Sequence, residues 1–164
     1  MPQFFFKKLR NDETNKKIKQ LKNKMELKDI VAINGKPGLY EIKAQSKGGI
    51  IVESLIDSKR IPITVTHNIS ALNEIAIYTY EEEIPLRIVL KSIGEKENGK
   101  ETLSHKENDK VLTSFFREVL PNFDEERVYT SNIKKIVQWY NLLASKNFDF
   151  ASIKEVEEET SKEA

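Results

Sequence analysis

The hydrophobic period of this chain changes once, at Glu81-Glu82-Glu83, and that change dictates two kinds of structure in one polypeptide. Before it, apolar residues recur every second position, as a half-buried strand requires. Tyr40, Ile42 and Ala44 alternate with polar neighbours over 39–45. Residues 50–56 are rich in β-branched side chains, and Ile61, Ile63 and Val65 share one face of 60–66. The stretches Asn34-Gly35-Lys36-Pro37-Gly38, Ser46-Lys47-Gly48-Gly49 and Asp57-Ser58-Lys59 read as the turns between them. Pro62 lacks a donor for a ladder, so its strand belongs at an edge or a bulge. Leu27, Ile30 and Val31 share a helical face, which predicts one or two helical turns. A further single turn is expected at 67–72, and a last strand at 74–80. Four or five short strands in about fifty residues suit a small barrel of the SH3-like kind.

Beyond the glutamates the period is that of a helix. Pro85 suits a first helical position. Leu86, Val89, Leu90 and Ile93 then recur at helical spacing, and Gly94 is expected to end that helix. Residues 95–109 read as a polar loop. Val111, Leu112, Phe115, Phe116, Val119 and Leu120 form a second stripe, which stops at Pro121. A linker containing Phe123 and Tyr129 leads to a last helix. Thr130 or Ser131 would cap it, and Ile133, Ile136, Val137, Tyr140 and Leu143 would face inward. The expected fold class is α+β, a small SH3-like β-barrel followed by a three-helix module. The expected divisions are a basic extension at 1–25, the β module at 26–80, the helical module at 81–150 and an acidic tail at 151–164.

Charge sorts the possible partners. The net charge is +1, but residues 1–28 carry nine basic and three acidic side chains. That head lacks the order of charges, apolar run and cleavage site that an export signal needs. It reads as a loosely structured extension or a basic arm for nucleic acid or an anionic surface, and Met25 is an alternative natural start. Elsewhere Lys59-Arg60 and Lys134-Lys135 are pairs and not the clustered basic face of a nucleic-acid binder. Nucleic acid is therefore the alternative reading, through the head and the barrel. No stretch approaches the roughly 18 apolar residues of a membrane span.

Chemistry-bearing motifs are sparse. The absence of cysteine excludes disulfides and thiolate sites, and no phosphate-loop, dinucleotide or nucleophile-elbow motif occurs. Pro37 removes one amide that a phosphate cradle at Gly35-Lys36-Pro37-Gly38 would use. His67 and His105 stand in no metal-ligand spacing. His67 reads as a loop histidine, with a small polar site beside Asn68 and Arg60 as the sharper alternative, and His105 as exposed. Asp124-Glu125-Glu126 reads as charge on a helical first turn rather than an acid/base pair. Trp139 lies off the main stripe of its helix, in the core or on a docking surface. No catalytic residue, metal ligand or cofactor is expected.

The segments Leu27-Lys28-Asp29-Ile30-Val31-Ala32-Ile33-Asn34-Gly35-Lys36-Pro37-Gly38-Leu39-Tyr40, Ile51-Val52-Glu53-Ser54-Leu55 and Val128-Tyr129 through Ile133-Lys134-Lys135-Ile136-Val137-Gln138-Trp139-Tyr140-Asn141-Leu142-Leu143 resemble a family of uncharacterised bacterial proteins. That family consists of two adjoining domains of unknown function, and the likeness covers roughly residues 26–148. It implies a cytoplasmic protein with an N-terminal SH3-like β module, a C-terminal helical module and an acidic tail. It brings no catalytic or binding residues with it.

The expected function is binding without catalysis, to another protein or to a second copy. Tyr78 and Tyr80 point to one side of the 74–80 strand and Ile75 and Ile77 to the other. The tyrosines either cement the two modules or, with the turn ending at Tyr40, form an aromatic groove for a peptide. Tyr40, Tyr78, Tyr80, Lys59 and Arg60 are thus the candidate partner-binding residues.

Overall fold

Ile30–Ile33 is a strand (β1), preceded by a single 3-10 turn at Leu27–Asp29, where the sequence spacing predicts a longer helical segment. The reason is burial on both sides. Ile30 packs with the helices, while Val31 and Ile33 pack inside the sheet. A strand covered on both faces is a continuous apolar run, and periodicity cannot tell such a run from a short helix. The computed structural model describes residues 25–64 and 66–155. The basic head at 1–24 and the tail from 156 onward lie outside those residues.

β1 pairs with β2 (Tyr40–Ser46) on one side and β5 (Ile69–Ala71) on the other. β3 (Gly49–Ser54) and β4 (Arg60–Thr64) complete an antiparallel sheet of order β4-β3-β2-β1-β5. β2 and β3 join through the two-residue turn Lys47-Gly48, and β2 carries a register irregularity between Ile42 and Ala44. Such an irregularity bends a strand. Pro62 lies in β4, at an edge, where its missing donor costs least.

The sheet is open. Its edges β4 and β5 do not pair among the described residues, so the expected barrel closure is absent. The strand that would have extended it leaves instead. Ala76–Tyr78 (β6) pairs with Glu83–Pro85 (β7) as a separate two-stranded ribbon. The helical turn expected at 67–72 is also displaced. Residues 69–71 are β5, and the 3-10 turn falls at Leu72–Glu74.

Three α-helices follow: α1 (Leu86–Glu97), α2 (Asp109–Val119) and α3 (Thr130–Ser145). Asn108 caps α2, its Oδ1 accepting from the Val111 N–H at 2.9 Å. At the start of α3, Asn132 Oδ1 accepts from the Tyr129 N–H, so the capping group is neither Thr130 nor Ser131. The polar 98–108 loop is held by α3. Tyr140 donates to the Lys100 carbonyl, and Asn141 bonds both the Thr102 N–H and the Leu103 carbonyl. His105 is half-buried there, not exposed.

One hydrophobic core runs through both halves, joining Leu27, Ile30, Leu39, Leu55 and Leu72 to the inward faces of all three helices. A smaller core of Val31, Ile33, Tyr40, Val52 and Ile63 lies on the other side of the sheet. Gly94 does not end α1 but lies buried within it. A Cβ there would stand 2.5 Å from the Cβ of Phe150, so the glycine exists to admit that ring. Phe150 in turn stacks on Tyr140 at 4.6 Å and meets Phe148 edge-on.

Gly94→Ala should therefore destabilise the protein by about 1–3 kcal/mol despite alanine's better helix propensity, since overpacking a filled site outweighs it. Gly48→Ala, with open space around the added methyl, should stay within about 0.5 kcal/mol of wild type. Urea unfolding of the two variants measures the contrast.

Candidate functional site

Where sheet and helices meet, two short segments are stitched together. β6 bonds β7 on one edge, and on the other Tyr80 N–H donates to the Asn122 carbonyl and Asp124 N–H to that of Tyr78. Thr79 and Phe123 face each other across this bridge, and Phe123 meets Phe116 edge-on at 4.9 Å. Asp124 then organises a turn and not the first turn of a helix. Its Oδ1 accepts from the N–H groups of Glu126 and Arg127, and its Oδ2 from Arg127 Nε at 2.8 Å. The Arg127 guanidinium lies over the Tyr78 ring, 4.2 Å from its centroid. The hydrogen bond from Arg127, followed by those from the backbone, holds the Asp124 carboxyl below the ordinary value against the opposing effect of burial. Asp124 is thus a structural group.

Above this seam runs a cleft of about 520 Å³ between the β1–β2 turn, β5 and α3. The turn can approach because Gly35 and Gly38 take positive φ, +83° and +80°, which other residues rarely adopt. Asn34, Lys36, Asn68 and Ser70 line one wall, and Lys135, Gln138 and Trp139 the other. A recess of about 170 Å³ continues from it along β6, past Ala76, Ile77 and Tyr78, opposite Val128, Asn132 and Ile136. Ile75, Lys135 and Trp139 line both. No described acidic residue lines either space. Neither Lys36 nor Lys135 has an ion-pair partner among the described residues, whereas the neighbouring Lys134 pairs with Asp109. The arrangement offers an aromatic face, amide and hydroxyl groups, two lysines and, in the recess, Arg127, which is paired with Asp124. These are the groups of recognition, able to stack, hydrogen-bond and attract negative charge.

The five expected site residues are not brought together. Tyr40 is buried in the smaller core. Tyr78 and Tyr80 are exposed and clasp the 124–127 turn, Tyr78 under Arg127 and Tyr80 by accepting from the Glu125 N–H through its hydroxyl. Lys59 and Arg60 sit at the far edge of the sheet, where Arg60 pairs with Glu53 at 3.0 Å. The aromatic groove of Tyr40 with Tyr78 and Tyr80 therefore does not form. His67 closes its own loop, its Nδ1 accepting from the Thr64 N–H, and Arg60 lies at the other end of β4. Trp139 is half-buried, serving both the core and the cleft. The cleft residues Ser70 and Gln138 carried no pattern in the sequence, and Asn68 was read only beside His67; the Asn34–Gly38 turn, the Lys134-Lys135 pair and the offset tryptophan marked the place. Among the described residues no group of three potential metal ligands occurs, and no helix is long and apolar enough to cross a membrane.

Two family models match the chain in tandem, each a domain of unknown function: DUF5606 over residues 27–72 and DUF6852 over 75–143. A solution NMR structure of a protein from Bacteroides vulgatus, a structural-genomics target, is 37% identical. It covers 81% of this chain and 99% of its own, with a TM-score of 0.57. The chain belongs to this two-domain family. No protein of curated function matches it. Within the family fold, the division between the two models falls at the 3-10 turn Leu72–Glu74, beside Ile75 of the cleft.

Asp124→Asn should weaken the seam in a pH-dependent way. A carboxyl held low in the folded state contributes stability above its unfolded value of 3.8 and loses that contribution as pH falls through the lower folded value. The variant should thus be less stable than wild type near pH 7, with the gap closing as pH falls well below 3.8. Urea midpoints at stepped pH follow this directly.

Proposed function

We propose that this family member is a non-enzymatic binding protein of the cytoplasm, and that its ligand site is the cleft around Trp139. The carrying observation is the convergence there of the Trp139 face with Lys36 and Lys135, which have no ion-pair partner among the described residues, in a space no described carboxylate lines. The reading needs neither metal nor cofactor. The cleft is built from both matched domains, which supports a site belonging to the pair and not to either alone. A protein partner suits it better than nucleic acid, because its two lysines make no extended phosphate-tracking stripe.

Affinity capture from the native cells with three variants of the full chain tests this reading. Lys135→Glu and Gln138→Arg alter the cleft, while Lys59→Glu alters the distant sheet edge. The expected outcome is loss of the same partner from both cleft variants at unchanged melting temperature, and its retention by Lys59→Glu. Loss with Lys59→Glu alone would move the site to β4.

A further inference from the structure

β6 has an edge that is half covered. In an antiparallel ladder the backbone groups of successive residues turn to opposite sides. Leu86 N–H donates to the Ile75 carbonyl and Thr79 N–H to that of Glu82, so Ile75, Ile77 and Thr79 direct their backbone groups at β7. Ala76, Tyr78 and Tyr80 must direct theirs to the other edge. There Asn122 and Asp124 take the Tyr80 N–H and the Tyr78 carbonyl, and the chain then turns away at Asp124. No described hydrogen bond reaches the Ala76 N–H, the Ala76 carbonyl or the Tyr78 N–H on that side. Ala76 is exposed and lines the recess opposite Ile136 and Trp139.

We infer that this open edge accepts an extended acidic peptide of a partner protein as an added strand, continuing where the 122–124 segment leaves off. The inference rests on the reading of the Trp139 cleft as the binding site and specifies its ligand. Main-chain bonds to the N–H and carbonyl of Ala76, the next outward residue beyond the Tyr78–Asp124 pair, supply register, and the recess supplies side-chain selection, as in other strand-adding modes of recognition. The recess offers Val128, Ile136 and Trp139 to apolar peptide side chains. Lys135, which lines both spaces and has no acidic partner among the described residues, offers its charge to a carboxylate of the same peptide. The matching ligand combines apolar and acidic residues.

The probe is an acetylated, amidated octapeptide alternating valine and glutamate, titrated into the full chain. Trp139 is the only tryptophan, so its emission reports occupancy of the recess. The expected result is a saturable change in that emission together with shifts of the Ala76 and Tyr78 amide resonances. Ala76→Pro, which removes one outward donor at an edge position that tolerates proline, should weaken binding about tenfold. Backbone N-methylation of the peptide should do the same, and it keeps the test sound should the proline variant fail to fold. Lys135→Glu should weaken binding and flatten its salt dependence, and a lysine-for-glutamate peptide should not bind. Equal binding of the lysine peptide, absence of any response to the glutamate peptide, or a dimer of the full chain abolished by Ala76→Pro would overturn the inference. A Trp139 response indifferent to both Ala76→Pro and N-methylation would remove strand addition and leave the cleft reading standing. Capture of a partner untouched by the cleft variants would remove the cleft reading itself.

Discussion

Burial of β1 on both faces is the constraint on which the rest of the structure depends. Ile30 is wholly buried on the helical side, and Val31 and Ile33 nearly so on the other. Because side chains alternate along a strand, four residues supply both hydrophobic cores at once. A one-residue slip of β1 would exchange those sets. It would also move the turn at Asn34–Gly38, whose position against α3 defines the cleft. The Asn34 N–H donates to the Asn68 carbonyl and the Lys36 N–H to that of Ile33, fixing turn and strand as one piece. Sheet register and site geometry are therefore the same fact.

Elements with one covered face were legible in the sequence. β2 and β4 alternate, β3 is rich in β-branched residues between clear turns, and the helical stripes of α1, α2 and α3 repeat at 3.6 residues. Their signals survive because solvent reads one side of each. Elements with two covered faces were not legible. β1 looked like helical turns. β5 was missed through its length, since three residues are too short for a period to develop, whereas β6 lies within the strand expected at 74–80. Gly94 misled for a different reason. A glycine at the end of an apolar stripe usually terminates a helix, and here the partner that requires it, Phe150, lies far along the chain.

The site was less legible than the fold, for a physical reason. Stacking and cationic groups are recognisable in sequence only when one element carries them all. Here Lys36 comes from a turn, Asn68 and Ser70 from the β5 region, and Lys135 and Trp139 from a helix seventy residues later. The five residues chosen from local pattern were chosen for exposure, charge and aromaticity, and four of them are occupied by a nearby duty. Tyr78 supports Arg127, Tyr80 meets Glu125, Arg60 holds Glu53, and Tyr40 fills a core. Exposure in a strand pattern marks the solvent side. It does not mark which solvent side is concave.

The Phe150 ring also sets an order on events during synthesis. Chains emerge from the ribosome N-terminus first, and domains begin to fold before release. α1 can form early, but the space over Gly94 stays unfilled until Phe150 has been made, and the Ile153 and Lys154 carbonyls reach Lys91 and Arg87 only after that. Until then the Leu90–Ile93 face and the Tyr140 ring lack their cover. A nascent chain of this protein therefore lacks the cover of this helix face until nearly all the described sequence is translated.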